Sequence, residues 1–87
     1  MTERTVTVVN RAGLHTRPAA TLVKKASQFK AEFTIIKDGM EINGKSIIGV
    51  MTLAAEQGST MVLRFVGVDE LEAAAAIAEL FERGFEE

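Results

Sequence analysis

The sequence Gly-Leu-His-Thr-Arg-Pro-Ala at residues 13–19 joins a strand-like run to a helix-like one, and it holds the only histidine and proline of the chain. Proline is favoured in the first turn of a helix, where its missing N–H would have no intrahelical acceptor and its fixed φ fits. The following apolar residues recur at i, i+3, i+4 and i+7, which predicts an amphipathic helix reaching about residue 28. His15 and Thr16 should therefore lie at or just before the start of this helix, with Arg17 in its first turn.

A helix start with these side chains is suited to an anion. The first-turn N–H groups and the positive end of the helix dipole favour negative charge. A neutral imidazole at His15 carries a lone pair and can act as a nucleophile. A phosphoryl group accepted there would lie against the helix N–H groups and the Arg17 guanidinium. Taken alone, the two residues fit equally well a solvent-exposed capping histidine beside an ordinary surface arginine.

The remaining chain alternates between strand and helix patterns. Apolar alternation predicts strands over residues 4–9, 32–37, 40–43 and 60–66, with a hairpin turn at Asp38-Gly39. A crowded apolar stretch predicts a short helix that begins after an N-cap at Ser46, ends near residue 57 and leaves some apolar side chains exposed. A third helix over residues 70 to about 83 is predicted to begin with a capping box at Asp69 and Glu72. Its predicted buried side comprises Leu71, Ala74, Ile77, Ala78 and Phe81.

The order of elements predicts the fold class. The sequence βαββαβα, with four mostly antiparallel strands and three helices in one small chain, predicts an α+β fold, a two-layer sandwich with the helices on one face. A chain of 87 residues is expected to form one domain, over residues 1–87.

Composition excludes several classes of site. Without cysteine, the chain has no disulfide framework and no thiolate metal site, and a single histidine argues against structural zinc. No stretch resembles a signal peptide or reaches membrane-spanning length. We therefore expect a cytoplasmic protein without membrane insertion, metal or cofactor.

Charge is distributed unevenly along the chain. The first 30 residues contain six basic residues against one acid, whereas from Asp69 onward seven acids stand against Arg83. A basic end could contact nucleic acid, but the chain has no Tyr or Trp for base stacking and its calculated pI is acidic. A basic rim that docks acidic protein partners fits the composition better.

Two motifs resemble one known family. Residues 13–19 resemble the active-site signature of HPr, the histidine-containing phosphocarrier of the bacterial phosphotransferase system. Gly-Lys-Ser-Ile-Ile-Gly-Val-Met at residues 44–51 resembles that family's regulatory-serine segment, at the family's usual distance downstream. The resemblance covers nearly the whole chain and implies an open-faced sandwich in which the first and second helices lie close together. It also implies that His15 accepts the phosphoryl group on Nδ1, that Arg17 contacts the phosphate, and that Ser46 is a regulatory phosphorylation site in some branches.

The resemblance implies partners as well. Enzyme I, phosphorylated from phosphoenolpyruvate, would load His15, and a histidine of a sugar-specific A component would receive the group. The chain would then be a phosphoryl carrier with a covalent phosphohistidine, not a free-standing enzyme, and it would act as a monomer. The implied docking surface comprises Thr16, Lys24, Ile47, Ile48 and Met51.

Regulation at Ser46 stays open at this point. In some branches of the family an ATP-dependent kinase phosphorylates this serine, and the resemblance implies that kinase and a transcriptional regulator as further partners. In other branches the serine is present without that use, and a serine before a helix can serve as an N-cap alone.

Two other functions remain open from the sequence. The protein could be purely regulatory, in a nitrogen-type or incomplete relay that binds transcription factors or enzymes without sugar transport. It could also be a generic ligand- or RNA-binding α/β module in which the motif is coincidental.

Overall fold

The computed structural model describes residues 1–86; Glu87, the last residue of the predicted domain, lies outside the described residues. The strands are β1 (Thr2–Thr7), β2 (Glu32–Lys37), β3 (Met40–Asn43) and β4 (Thr60–Val66). The helices are α1 (Thr16–Ala26), α2 (Ile47–Thr52) and α3 (Glu70–Glu82), and a 3-10 turn follows at Gly84–Glu86. The predicted order βαββαβα is confirmed.

The sheet has the strand order β1-β4-β2-β3, and each neighbouring pair is antiparallel. Alternate side chains point to opposite faces of a sheet, so one set from β2 and β4 lies against the helices. This buried set is Phe33, Ile35, Met61, Leu63 and Phe65. The rings of Phe33 and Phe65 stack with their centroids 4.7 Å apart. The predicted α+β sandwich, open on one face, is therefore confirmed.

The open face carries polar and charged side chains. Arg64 of β4 forms ion pairs with Glu3 of β1 at 2.9 Å and with Glu41 of β3 at 3.6 Å. Thr5 of β1 is exposed and alternates with the buried Val6. Cross-strand pairs hold this face, and no helix within residues 1–86 covers it.

The core lies between the sheet and the helices. Ala19 and Leu22 of α1 and Ala74 and Ile77 of α3 have no exposed surface. Each large apolar side chain buried in this way stabilises the fold by about 1.5–3 kcal/mol. Because this packing fixes α1 against the sheet, it also fixes the direction in which the start of α1 points.

Strand β1 begins earlier than its sequence pattern indicates. The predicted range was 4–9, whereas the strand runs from Thr2 to Thr7. Thr2 is buried because its hydroxyl donates a hydrogen bond to the Glu70 carboxylate, a residue 68 positions away. Val8 lies just after the end of β1, and its N–H donates to the Ser59 carbonyl at 2.9 Å.

Helix α2 is shorter than predicted. It ends at Thr52 and not near residue 57, because the N–H groups of Leu53 and Ala54 bond to carbonyls only three residues back. Ala54 then adopts a left-handed conformation with φ of +50°, which takes the chain out of the helix. The other two helices end within two residues of their predicted ends.

The predicted capping box at Asp69 and Glu72 is wrong. Asp69 makes no side-chain hydrogen bond to α3. Its carboxylate accepts the N–H groups of Lys30 and Ala31 at 2.8 Å each, and so ties the α1–β2 loop to the start of α3. The hydrogen bond from Lys30 is the main cause that lowers the pKa of Asp69 below its usual value.

Glu70 occupies the inward position that was predicted for Leu71. Leu71 is 64% exposed, because the step of 100° per residue turns it away from the sheet when Glu70 faces inward. The Glu70 carboxylate accepts the Thr2 hydroxyl, the Gly67 N–H at 3.1 Å and the N-terminal ammonium at 3.0 Å. These contacts, first of all the one from Thr2, lower the pKa of Glu70 to about 2.

Candidate functional site

The loop over residues 8–15 connects β1 to α1 and carries the histidine. Leu14 is buried, and its N–H donates to the Ala55 carbonyl at 2.9 Å. Gly13 has φ of +73°, and a Cβ atom there would lie 2.4 Å from the Ala55 carbonyl oxygen. Only glycine fits this position, both for its conformation and for the space. The loop is thus pressed against the segment that follows α2.

His15 is the N-cap residue of α1, as predicted. Its backbone is extended, with φ of −86° and ψ of −162°, and its carbonyl accepts the Ala19 N–H at 2.9 Å. The side chain is exposed and makes no capping hydrogen bond. The interpretation of His15 as a side-chain cap is therefore not supported.

The first turn of α1 consists of Thr16, Arg17 and Pro18, and none of its residues is acidic. Pro18 is buried and has no N–H, so Thr16 and Arg17 supply the amides of this turn. Both side chains are exposed. Together with the helix dipole, the amides and the guanidinium give the end of α1 next to His15 a positive character.

A shallow hollow of about 250 Å³ opens beside the imidazole. Its walls are mainly apolar and are formed by Ala12, Leu14, His15, Met51, Ala54, Ala55 and Glu56. Met51 comes from α2, which packs against α1. The structure therefore brings one predicted docking residue into the immediate surroundings of His15.

The other apolar residues of α2 extend this surface. Ile47 is 42% exposed, Ile48 80% and Met51 42%, and we call these three residues the α2 patch. The prediction that this short helix leaves apolar side chains exposed is confirmed. Exposed apolar clusters are typical of partner sites.

Ser46 is the N-cap of α2, as predicted. Its hydroxyl accepts the Gly49 N–H at 3.0 Å. The preceding turn is held by Asn43, whose side-chain oxygen accepts the Lys45 N–H at 2.9 Å. The Lys45 ammonium donates to the Phe29 carbonyl at 2.8 Å, which anchors the turn on the segment between α1 and β2. Ser46 thus lies half-buried in a turn that its neighbours hold in place.

Lys24 lies farther along α1. At the helical rise per residue it is about 12 Å from Thr16. Arg17 and Lys24 are both exposed and are seven residues apart, so they share one face of the helix. Two of the six basic residues among the first 30 therefore lie on one face of α1, and the docking role of a basic rim stays a prediction.

Two kinds of feature are absent from residues 1–86, a side-chain cluster for a metal and a helix that could span a membrane. No group of three or more His, Cys, Asp or Glu side chains in this range could hold a metal ion. No helix in the same range is long and apolar enough to cross a membrane.

Comparison with known families assigns the chain. Residues 2–83 match the family PTS-HPr, described as the phosphorylation site of the PTS HPr component. The chain belongs to the HPr family. It is accordingly related to the phosphocarriers of the phosphotransferase system over nearly its whole length.

Curated and structural relatives agree with this assignment. The phosphocarrier protein HPr of Treponema pallidum is 47% identical over 87 residues, covering 100% of this chain and 99% of the relative. The crystal structure of HPr-C-His from Thermoanaerobacter tengcongensis gives a TM-score of 0.97 at 42% identity and covers 100% of this chain and 98% of that chain. An HPr dimer from the same organism gives a TM-score of 0.81 at 42% identity and covers 100% of both chains. The open-faced fold is therefore that of HPr.

Two features of this HPr-family site were not predicted. Residues Ala54 to Glu56 form one wall of the hollow beside His15, because α2 ends early. Asn10, three residues before Gly13, is buried and hydrogen-bonds to it. Asparagine and glycine are both typical of turns, and an asparagine side chain often bonds to the nearby backbone. The sequence could therefore have suggested the contact of Asn10, but not its burial.

Proposed function

We propose that the chain carries a phosphoryl group on His15 from phosphorylated Enzyme I to a histidine of a sugar-specific A component. The observation that carries this proposal is the position of His15 in an HPr-family chain. Its imidazole is exposed at the N-cap of α1, does not cap the helix, and adjoins a first turn that lacks acidic residues. The same arrangement suits a group that arrives with negative charge and leaves again.

Loading begins when a ring nitrogen of His15 attacks phosphorus with its lone pair. An N–P bond forms while the bond between phosphorus and the donor breaks, and the donor's leaving atom keeps the bonding electrons. The proton on the other ring nitrogen of His15 passes to solvent or to the departing group. In the second transfer the acceptor histidine attacks phosphorus, and the His15 imidazole keeps the electrons of the broken N–P bond and regains a proton.

The first turn of α1 would stabilise the bound phosphoryl group only moderately. The Thr16 and Arg17 amides and the Arg17 guanidinium are donors for phosphate oxygens, and hydrogen bonds to charged groups are worth about 1.5–3 kcal/mol each. A cage of several charges and a metal would hold the group too firmly for a carrier. Arg17 is thus proposed as the phosphate partner of His15.

Docking is proposed to use the surface around the imidazole. The α2 patch supplies apolar contact beside His15, while Thr16 and Lys24 contribute the polar and basic part along α1. Basic side chains steer acidic partners and select among them. We propose that the chain acts as a single domain and as a monomer in the cytoplasm, although an HPr dimer is described for Thermoanaerobacter tengcongensis.

Regulation is proposed to act through Ser46. Phosphorylation there by an ATP-dependent serine kinase would place nearly two negative charges beside the α2 patch. A partner that buries the patch would have to desolvate this dianion, so phosphorylation should weaken docking. A transcriptional regulator that recognises the modified surface is the partner that this proposal adds.

The experiment is incubation with phosphoenolpyruvate and Enzyme I, followed by mass spectrometry and site mapping. We expect one acid-labile phosphoryl group on His15, and no labelling of His15→Ala. An acid-labile phosphate that persists in His15→Ala, or an unlabelled wild type, would contradict the proposal. Labelling of His15 without onward transfer to any A component would favour the purely regulatory alternative.

A further inference from the structure

Asn10 is a buried polar residue that the proposed transfer chemistry does not use. Its side chain is 5% exposed. Within residues 1–86, its Oδ1 is the buried side-chain oxygen or nitrogen that has no hydrogen-bond partner. An amide oxygen buried without a donor destabilises the fold, so the contribution of Asn10 must come from its other atoms.

Those other atoms bind Gly13. Asn10 Nδ2 donates to the Gly13 carbonyl at 2.8 Å, and the Gly13 N–H donates to the Asn10 carbonyl at 3.2 Å. The N–H and the carbonyl of Gly13 are thus both hydrogen-bonded to Asn10. Gly13 itself is confined, because a Cβ atom would collide with the Ala55 carbonyl.

The two ends of one peptide plane are therefore fixed by different parts of the chain. The Gly13 carbonyl and the Leu14 N–H belong to the same planar unit. Its oxygen is bound by Asn10 Nδ2, and its N–H is bound by the Ala55 carbonyl at 2.9 Å. A plane held at both ends cannot rotate, whereas a plane held only by Ala55 can tilt about that single contact.

The plane lies directly before Leu14 and His15, so its tilt moves the imidazole. Group transfer depends strongly on the distance and angle between nucleophile and phosphorus, and a displacement of about 1 Å can cost on the order of a hundredfold in rate. We propose that Asn10 is a positioning residue for phosphoryl transfer, which sets the direction of His15 by fixing the Gly13–Leu14 peptide. This inference rests on the proposed function of His15.

Asn10→Leu is the sharpest variant for a test. Leucine has the same branching and the same number of non-hydrogen side-chain atoms as asparagine, and its bulkier methyl groups keep the space filled. The substitution removes the unpaired Oδ1, which should stabilise the fold. It also leaves the Gly13 carbonyl without its donor, which should destabilise the fold by a similar amount. The melting temperature should therefore stay close to the wild-type value, while the Gly13–Leu14 peptide loses one of its two anchors.

The measurement is steady-state loading by Enzyme I together with amide hydrogen exchange. For Asn10→Leu and Asn10→Ala we expect kcat to fall about tenfold with KM changed less than about twofold, because the α2 patch is untouched. The Leu14 amide should exchange faster than in wild type, while the Leu22 amide in the core of α1 should not. Ile77→Val in α3 is the control, because it should lower the melting temperature without lowering kcat.

The outcomes separate the two proposals. Wild-type loading on His15 with an unchanged kcat in both Asn10 variants would overturn the role of Asn10 alone. A kcat loss that Ile77→Val reproduces when its melting temperature falls as far would also overturn it, by showing a general effect of stability. If wild type is not loaded on His15, the proposed function fails, and the inference falls with it.

Discussion

The starts of α1 and α3 are built in opposite ways. At α3, the Asp69 and Glu70 carboxylates bind backbone N–H groups, a hydroxyl and the N-terminal ammonium, and their pKa values are lowered. At α1, the first turn has no acid and the N-cap side chain of His15 makes no capping bond. A helix start whose carboxylates already bind donors from other segments is a permanent structural contact. A start without them keeps its positive end available for an anion that comes and goes.

The strongest test of this contrast removes the cation beside His15. Arg17→Ala should slow phosphoryl transfer about ten- to a hundredfold, because it removes a hydrogen bond to a charged group worth about 1.5–3 kcal/mol. The melting temperature should change little, since the side chain is exposed. Arg11→Ala, which removes an exposed arginine outside the helix turn, is the matched control. A large drop in melting temperature for Arg17→Ala would show instead that Arg17 is structural.

A second variant places an acidic side chain in the first turn of α1, as in the first turn of α3. Thr16→Asp adds a carboxylate to the exposed first turn, which should stabilise the helix by about 0.3–1 kcal/mol. The same charge would repel the incoming phosphoryl group, so loading should slow about tenfold, roughly the effect of one unfavourable charge near the site. Thr16→Asn, similar in size but neutral, should load at nearly the wild-type rate. Equal loading by the two variants would disprove the link between helix-end charge and transfer.

The start of α2 offers an intermediate case, in which a side chain caps the helix and could also be modified. Ser46→Asp should keep or raise the melting temperature, because an anion is tolerated at a helix start. Binding to Enzyme I should weaken severalfold, and the loss should shrink as salt is added. Ser46→Ala is the control: it loses the cap, at a cost of about 0.5–2 kcal/mol, but should bind normally. Unchanged affinity of Ser46→Asp would leave Ser46 as a cap only.

The smallest expected effect concerns the hydrogen-bonded Glu70 carboxylate at the start of α3. The pKa of Glu70 lies at about 2 when folded, against an ordinary value of 4.5. The stabilising contribution of its carboxylate is therefore complete above pH 4.5 and is lost as the pH falls toward 2. Thermal melts between pH 5 and about 2 should show a smaller decline for Glu70→Gln than for wild type, and phosphoryl transfer at neutral pH should be unaffected. If the melting temperatures of Glu70→Gln and wild type fall equally between pH 5 and about 2, then Glu70 is not the titrating group.

Local sequence patterns predicted the elements whose limits are set locally. The strands over 32–37, 40–43 and 60–66 were predicted with their correct bounds, because hydrophobic alternation and glycine-containing turns mark their ends. The position of His15 at a helix start followed from Pro18 and from the apolar spacing behind it. The N-cap role of Ser46 also followed from its immediate neighbours.

The predictions that failed depend on contacts between residues far apart in the chain. The burial of Thr2 requires Glu70, 68 residues away, and Asp69 binds the Ala31 N–H, 38 residues away. Neither partner can be identified from spacing along one sequence. The roles of Asn10 and the Ala54–Glu56 wall likewise depend on how the loop before α1 meets the loop after α2. His15, the proposed phosphoryl acceptor, could therefore be located from the sequence, but not the contacts of the loop that precedes it.

The uncovered face of the sheet offers a position for a spectroscopic label that follows partner binding. Thr5 lies on that face, among cross-strand pairs such as Arg64 with Glu3, and away from the face on which the helices pack. The chain contains no cysteine, so Thr5→Cys would provide a unique attachment point for a fluorescent dye. A dye there would report tumbling and distance changes as partners bind and leave, without occupying the proposed docking surface. The open layer of the sandwich thus gives a built-in location for a reporter.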